Sequence, residues 1–235
     1  NIEVPGARDS YTFVAARGTT VYFEDLGGAN GLDWAVWDEL GSRLFSDRLN
    51  GGDPGRYTLI QGGTYTIIVS PAAADPTYIG AYFFAVREVP ADESFLIAVG
   101  STVTNGVPAM GAGNIEVPGA RDIYTFVAAR GTMVYFEDLG GGNGGLNWAV
   151  WDEVGRQLFS ERLDGADPGR YTLVQGGTYT ITVSPAGANP SYVGGYSFAV
   201  RAVPADEAFS IAIGAMVTNG VPAAGAGNIE VPGAR

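Results

Sequence analysis

Acidic side chains are the first residues of this sequence whose type and spacing could do chemistry. Five of them fall at the ends of apolar runs or in turns of the first half of the chain: Glu24, Asp25, Asp38, Asp47 and Asp53. Oxygen ligands of this kind suit Ca²⁺, so the five acids are candidates for a calcium site at one end of a folded domain. Ordinary solvated turn acids are the alternative, because no D-x-D-x-D-G loop is present and Asp-Pro-Gly at 53–55 is a common turn sequence.

The residue types that are missing exclude most catalytic machinery. The sequence has no His and no Cys, and all 13 of its basic residues are Arg. Ser-His-Asp and Cys-His nucleophiles, His or Cys metal ligands, disulfides and lysine Schiff bases are therefore ruled out. Paired carboxylates hydrolyse glycosides in many enzymes, but these acids recur in both halves and would need two active sites. We expect no enzymatic activity and no cofactor other than calcium.

The tryptophans divide into an inward and an outward pair. Trp34 and Trp148 alternate in phase with Leu and Val, which predicts core positions. Trp37 and Trp151 are out of phase and should point outward, as should Phe83. An outward Trp stacks on a sugar, packs on a neighbouring protomer or lies over an Arg stem. These three outward aromatic residues are therefore candidate interface residues.

The overall charge limits the partners. The formal net charge is −12, which disfavours DNA, RNA and anionic lipid. We find no run of ~20 apolar residues, so no membrane insertion is expected. These features favour a soluble, acidic protein that is secreted or displayed on a cell surface, with copies of itself or carbohydrate as partners.

An octapeptide, Asn-Ile-Glu-Val-Pro-Gly-Ala-Arg, occurs three times, at residues 1–8, 114–121 and 228–235. The segments between the copies align at an offset of 113 up to Gly27/Gly140, and at 114 from Leu32/Leu146 onward. A period this long indicates tandem globular domains, because solenoid units run to only ~20–50 residues. Repetition of one domain points first to a strut, stalk or fibre.

Composition and alternation predict an all-β fold. With 36 Gly and 13 Pro beside abundant Tyr, Val, Thr and Phe, the sequence favours short strands joined by tight turns. The predicted strands are 10–16, 19–25, 32–38, 43–47, 57–59, 64–70 and 81–89, with 95–99 and 101–104 before the second copy. Strands at this spacing indicate two antiparallel β-sandwich domains, jelly-roll or immunoglobulin-like. The predicted core residues of the first copy are Tyr11, Phe13, Leu32, Trp34, Val36, Tyr65, Ile67, Val69, Tyr82, Phe84 and Val86.

Four motifs resemble the bacterial pre-peptidase C-terminal domain. They are DIYTF at 122–126, LNWAVWDEVG at 146–155, GTYTITV at 177–183 and GYSF at 195–198. In that family similar motifs follow in the same order, and the resemblance covers nearly the whole repeat. It implies a non-catalytic jelly-roll-like sandwich of secreted or surface proteins, some of which bind calcium or polysaccharide, and it carries over no catalytic residue.

The resemblance also implies where a domain begins, because a strand and a loop precede the D-x-Y-x-F motif in that family. By this measure residues 93–205 form a complete sandwich, and residues 1–92 form one that lacks its opening strand. Residues 206–235 duplicate the missing opening as an orphan donor segment.

The two defects are complementary, since a sandwich short of a strand exposes an edge and an apolar strand left alone has nowhere to bury. We therefore predict a structural subunit of an extracellular bacterial fibre or surface filament, self-assembled head-to-tail by strand donation. The predicted donor residues are Phe209, Ile211, Ile213 and Val217. The alternatives are a segment of a giant tandem-repeat adhesin stalk, and a glycan- or calcium-binding module of a secreted hydrolase.

Overall fold

Aromatic and β-branched residues alternate with polar ones along the first repeat, and a pleated strand sends alternate residues to opposite faces. The computed structural model describes residues 1–28, 30–50 and 52–234. The first repeat forms β1 (Asp9–Ala15), β2 (Thr20–Gly28), β3 (Leu32–Trp37), β4 (Arg43–Arg48), β5 (Gly55–Thr58), β6 (Gly63–Pro71) and β7 (Tyr82–Val89). The strands predicted for this repeat are all found, and their ends differ from prediction by three residues or fewer.

The second repeat contains the same seven strands and further short ones. The additional strands before it are β8 (Glu93–Leu96), β9 (Thr102–Val103) and β10 (Asn114–Ile115). The repeat itself forms β11 (Asp122–Ala128), β12 (Met133–Gly140), β13 (Leu146–Trp151), β14 (Gln157–Arg162), β15 (Gly169–Thr172), β16 (Gly177–Pro185), β17 (Gly194–Gly195) and β18 (Ser197–Ala202). The described residues contain no helix that is long and apolar enough to cross a membrane.

Close contacts divide the chain into two units. The first unit comprises Asn1–Ala91 together with Val117–Ala120 and Gly187–Val193, and the second comprises Asp92–Glu116, Arg121–Ala186 and Gly194–Arg235. The first unit has a four-stranded sheet, β1-β6-β3-β4, and a three-stranded sheet, β5-β2-β7. The second unit has the counterparts of both sheets, each enlarged by one strand, and the small pair β10-β17.

The two enlargements fall on corresponding edges. In the second unit the sheets run β14-β13-β16-β11-β8 and β15-β12-β18-β9. Strands β8 and β9 thus cover β11 and β18, whose counterparts β1 and β7 are edge strands in the first unit. The pair β8-β11 is parallel, whereas the sequence predicted antiparallel sheets throughout. Parallel pairing needs a long crossover connection, and the loop from β8 through β9 and β10 to β11 supplies it.

The core lies between the two sheets of each unit. In the first unit Trp34 on β3 is fully buried and packs edge-on against Phe23 of the facing sheet, with ring centroids 6.2 Å apart. The corresponding rings of the second unit, Trp148 and Phe136, are also 6.2 Å apart, and Trp148 is fully buried. The inward position predicted for both tryptophans and the all-β sandwich fold are confirmed.

Candidate assembly site

The first unit exposes part of what the sequence predicts to be its core. Tyr11 on β1 is 42% exposed, although its alternation with Phe13 predicts a core position. Phe84 and Val86 on β7 are only half-buried. The predicted burial of these residues was too high for this unit, because no described residue covers the edge strands β1 and β7 as β8 and β9 cover their counterparts. We call Asp9, Tyr11, Tyr82, Phe84 and Val86 the acceptor face.

In the second unit the same face is closed. Tyr124, Phe198 and Val200, the counterparts of Tyr11, Phe84 and Val86, are fully buried at 0% exposure. The cover is residues 93–116, the opening segment, in which Phe95 stacks on Tyr124 with ring centroids 5.1 Å apart. Identical or similar side chains at equivalent strand positions therefore differ in burial because only one unit has its opening segment.

Backbone hydrogen bonds seat the opening segment. The amide of Ile97 donates to the carbonyl of Thr125 on β11 at 2.9 Å. On the other side, Val200 accepts from the Gly100 amide at 2.6 Å and donates to the Ser101 carbonyl at 3.0 Å. Each sheet of the sandwich thus gains ladder bonds from one continuous segment, which satisfies backbone groups that an edge strand leaves open.

A groove marks the corresponding place in the first unit. It has a volume of about 320 Å³ and runs between β1 and β7. The residues that line it are Phe13, Val14, Ala15, Ala16, Thr19, Val21, Val86 and Glu88. Val86 is the counterpart of Val200, so the groove lies where residues 97–101 pass in the second unit.

A polar network occupies one end of the acceptor face. Tyr82 donates to the Asp9 carboxylate at 2.5 Å, and the hydroxyls of Tyr11 and Tyr82 are 2.6 Å apart. In the second unit the same network is buried: Tyr196 donates to Asp122, and the hydroxyls of Tyr124 and Tyr196 are 2.7 Å apart. There the Tyr124 hydroxyl also accepts from the Gly113 amide at 2.8 Å. The opening segment therefore completes this network with a backbone donor.

Three carboxylates lie close together where the opening segment completes this network. Ligand oxygens of Glu93, Glu116 and Asp122 lie within 4.8 Å of one another, the only such group of three acids found among the described residues. Burial raises the pKa of Asp122 to about 7; the Tyr196 hydrogen bond opposes this rise, and the charges of Glu116 and Glu93 add to it. The sequence did not single out these three acids, because two of them belong to the opening segment and meet Asp122 only in the folded sandwich.

The tail of the chain has the local fold of the opening segment without an acceptor. Residues 207–230, the tail segment, align with residues 93–116. In both copies the loop is closed by the same bonds: Gly106 donates to Ala112, and Gly220 to Ala226, each at 2.7 Å. The residues equivalent to β8 and β9 form no strand in the tail segment. The tail segment therefore has the loop of the opening segment without the two strands that precede it.

The predicted donor residues are exposed in the tail segment. Phe209, Ile211 and Val217 are 39%, 59% and 48% exposed, and Ile213 is fully exposed. Their counterparts in the opening segment include Ile97, 8% exposed, and Val103, fully buried. A cavity of about 380 Å³, lined by residues that include Glu207, Phe209 and Gly227, opens inside the tail segment. The equivalent residues of the opening segment, Glu93, Phe95 and Gly113, lie against Asp122 and Tyr124 at the start of β11, so the cavity corresponds to the place of a β1 strand.

The five acids proposed as a calcium site make local contacts and do not form one cluster among the described residues. The Asp53 carboxylate accepts from the Tyr22 hydroxyl at 2.6 Å and from the Asp25 amide at 2.8 Å. Glu24 pairs with Arg87 at 2.6 Å. Asp38 accepts two amide bonds of the turn after β3, and Asp47 accepts one from the next residue along the chain. No three of them come within ligand distance among the described residues, and calcium binding stays a prediction without support from this set.

The outward aromatic residues are placed on the outer face, as their phase predicts. Trp37 and Trp151 are half-buried, and Phe83 is 60% exposed. The guanidinium carbon of Arg43 lies 5.5 Å from the ring centroid of Trp37, which is a cation–π distance. Of the three roles predicted for an outward Trp, covering by an Arg side chain is the one seen at Trp37. A role of these residues in an interface stays a prediction.

Comparison with known proteins gives likenesses of fold alone. No family model matches the chain, and no curated protein matches its sequence. PliG, a periplasmic inhibitor of g-type lysozyme from Aeromonas hydrophila, has TM-score 0.35 and 17% identity over 47% of this chain and 98% of that chain. The pre-peptidase C-terminal domain of a Bacillus anthracis collagenase has TM-score 0.37 and 17% identity over 48% and 98%. The CUB1-EGF-CUB2 region of human MASP-1/3 has TM-score 0.30 and 11% identity over 83% and 93%. TM-scores of this size leave the function to be inferred from the contacts of the chain itself.

Proposed function

We propose that this chain is a non-catalytic structural subunit of an extracellular fibre, in which the tail segment of one copy completes the first unit of the next. The observation that carries the proposal is the contrast between Tyr11, 42% exposed, and Tyr124, 0% exposed, at equivalent positions. Within the described residues, the second unit has an opening segment over this position and the first has none, and the tail segment repeats the sequence of that segment. Donation in one direction produces an open row of subunits, because donor and acceptor are different surfaces.

The second unit supplies the geometry expected at each junction. Ile211 would donate to Thr12 as Ile97 does to Thr125, and Gly227 would donate to the Tyr11 hydroxyl as Gly113 does to Tyr124. Val217 would fill the position of the buried Val103. Such strand addition combines main-chain hydrogen bonds with side chains that enter pockets of the acceptor.

The same contacts would serve a longer repeat protein, in which the preceding repeat supplies the opening segment. The octapeptide that recurs at intervals of 113 and 114 residues favours this second candidate. The two candidates differ in one measurable respect. A separate subunit polymerises as the 235-residue chain, whereas a stalk segment has no need to associate with other copies.

The test compares two substitutions on opposite faces of the donor strand. Ile211→Asp places a charge at the counterpart of Ile97, which is 8% exposed, while Ala212→Asp places the same charge at the counterpart of the exposed Ala98. Both sites are exposed in the tail segment, so neither change should unfold the subunit. Electron microscopy and sedimentation should show filaments for the wild type and for Ala212→Asp, and none for Ile211→Asp.

Two results would refute strand donation between chains. One is a wild-type chain that stays monomeric up to millimolar concentration. The other is an Ile211→Asp variant that polymerises like the wild type.

A further inference from the structure

The three octapeptides have identical sequences and different surroundings. In the middle copy, residues 114–121, Asn114 and Ile115 form β10 in the second unit and pair with β17. The next part of the same octapeptide, Val117–Ala120, belongs to the first unit. Each octapeptide therefore consists of an Asn-Ile half and a Val-Pro-Gly-Ala half that bind to different sites.

The Val-Pro-Gly-Ala half binds to an Arg and a Tyr of the unit that precedes it in the chain. Arg56 donates to the Gly119 carbonyl at 2.8 Å, and a Cβ on Gly119 would lie 2.7 Å from the Tyr22 ring. The tail octapeptide repeats this in the second unit. Arg170 donates to the Gly233 carbonyl at 3.0 Å. A Cβ on Gly233 would lie 2.6 Å from the ring of Tyr135.

The Asn-Ile half binds to the unit that follows it. Ile115 is fully buried beside Gly194. In the head octapeptide, residues 1–8, Ile2 is 1% exposed and exchanges two backbone bonds of 2.9 Å with Gly80. The other half of the head is exposed, with Val4 at 62%. In the tail octapeptide the pattern is reversed, since Ile229 is 64% exposed.

The middle octapeptide has both halves bound, whereas head and tail have one each. A junction between two copies brings both incomplete octapeptides to the same pair of sites, and only one can fill them. We propose that the tail octapeptide fills both sites, and that its Asn228 and Ile229 displace Asn1 and Ile2 of the acceptor copy from Gly80. This inference rests on the strand donation proposed above and names a second contact of the same junction.

The head and the tail octapeptide compete for the same sites, and the two outcomes differ in whether the chains cross at a buried or an exposed residue. If the head stayed bound, the donor would have to leave at Gly227, whose counterpart Gly113 is buried. If the tail binds instead, the chains cross near Arg8, which is exposed, as is its counterpart Arg121.

Attachment also favours the tail. Once residues 209–227 are seated, Asn228 and Ile229 follow directly and reach the Gly80 site at high effective concentration. The head loses its two backbone bonds and an ion pair between the Asn1 ammonium and Asp9, 3.6 Å long and largely exposed. An exposed pair of this kind contributes little. The head octapeptide thus occupies the Gly80 site in the free chain and leaves it when a donor binds.

Identical octapeptides provide matched variants for the test. Ile229→Asp should raise the critical concentration for polymerisation by about tenfold or more, because a buried isoleucine position receives a charge. Ile2→Asp should leave it unchanged or lower it. Gly233→Ala should weaken polymerisation and Gly6→Ala should not. Gly233 and Gly6 have φ angles of +80° and +77°, so the backbone strain of an added Cβ is the same at both positions. Only the Cβ at Gly233 would meet another group within 4 Å.

Hydrogen exchange on the wild-type chain gives a readout that does not depend on variants. On polymerisation, the amide of Ile2 should lose protection from exchange and that of Ile229 should gain it. Because the octapeptides are identical, the exchange is measured on peptides that include flanking residues and can be assigned to head or tail. The reverse pattern, in which Ile2→Asp and Gly6→Ala are the harmful changes, would show that the head bridges the junction. Equal effects of the head and tail variants would also overturn the proposal. In either case, filaments that are lost in Ile211→Asp would leave strand donation itself intact.

Discussion

Tyr11 and Tyr124 offer a direct measure of what the opening segment contributes. The two tyrosines occupy equivalent places on β1 and β11, yet only Tyr124 is covered. Truncating a fully buried aromatic side chain to Ala costs ~3–5 kcal/mol. We expect Tyr124→Ala to lower the stability of the second unit by this amount. In the free chain 42% of Tyr11 is already in water, so Tyr11→Ala should cost less by about 0.42 × 4, or about 1.7 kcal/mol.

The stabilisation that Tyr11 lacks in the free chain should appear as binding energy when copies associate. In a polymer Tyr11 would become buried like Tyr124 and accept from an amide of the donor. Tyr11→Ala should then weaken each junction by about 1.7 kcal/mol, which corresponds to a roughly 20-fold higher critical concentration. Loss of the new hydrogen bond would increase the effect, because it leaves a buried amide without an acceptor.

Two assays separate the contributions. Hydrogen exchange of the β1 and β11 amides in dilute solution reports the stability of each unit in the monomer, and sedimentation reports the critical concentration. Leu40→Ala is the control, because Leu40 and its counterpart Val154 are both 71% exposed and Leu40 does not line the groove. The reasoning is refuted if Tyr11→Ala destabilises the monomer as much as Tyr124→Ala does, or leaves the critical concentration within threefold of the Leu40→Ala value.

Two further predictions concern the units themselves. The pKa of Asp122, raised to about 7, lies above the ordinary value of ~3.9, so its stabilising effect is complete below pH 4 and lost as pH rises through 7. The guanidinium chloride concentration at the midpoint of unfolding should fall between pH 5 and pH 8, and Asp122→Asn should flatten this pH dependence. The same pH dependence in wild type and variant would contradict the prediction. Trp34→Ala or Trp148→Ala should cost ~3–5 kcal/mol, whereas Trp37→Ala should cost under ~1 kcal/mol because Trp37 is half-buried beneath Arg43. Equal losses in urea denaturation would mean that the strand phase is wrong.

Properties that depend on neighbours along the chain could be predicted from the sequence. A strand sends alternate residues to opposite faces, so Trp34 and Trp148 could be placed in the core and Trp37 on the outer face. The strands of the first repeat were found within three residues of their expected ends, because turn residues such as Gly and Pro limit them. The repeated octapeptide and the offset of 114 residues also showed that residues 206–235 repeat an earlier part of the sequence, and the family resemblance predicted that this part opens a sandwich.

Properties that depend on contact between distant segments required the tertiary structure. Tyr11 and Tyr124 lie in nearly identical local sequences, and their burial differs because β8, far away in sequence from β1, covers only β11. The parallel pairing of β8 with β11 and the meeting of Glu93 and Glu116 with Asp122 have the same origin. Alternation tells which face of a strand is apolar, but not whether another strand covers it. The open edges of β1 and β7 and the two contacts of the middle octapeptide were decided by packing alone.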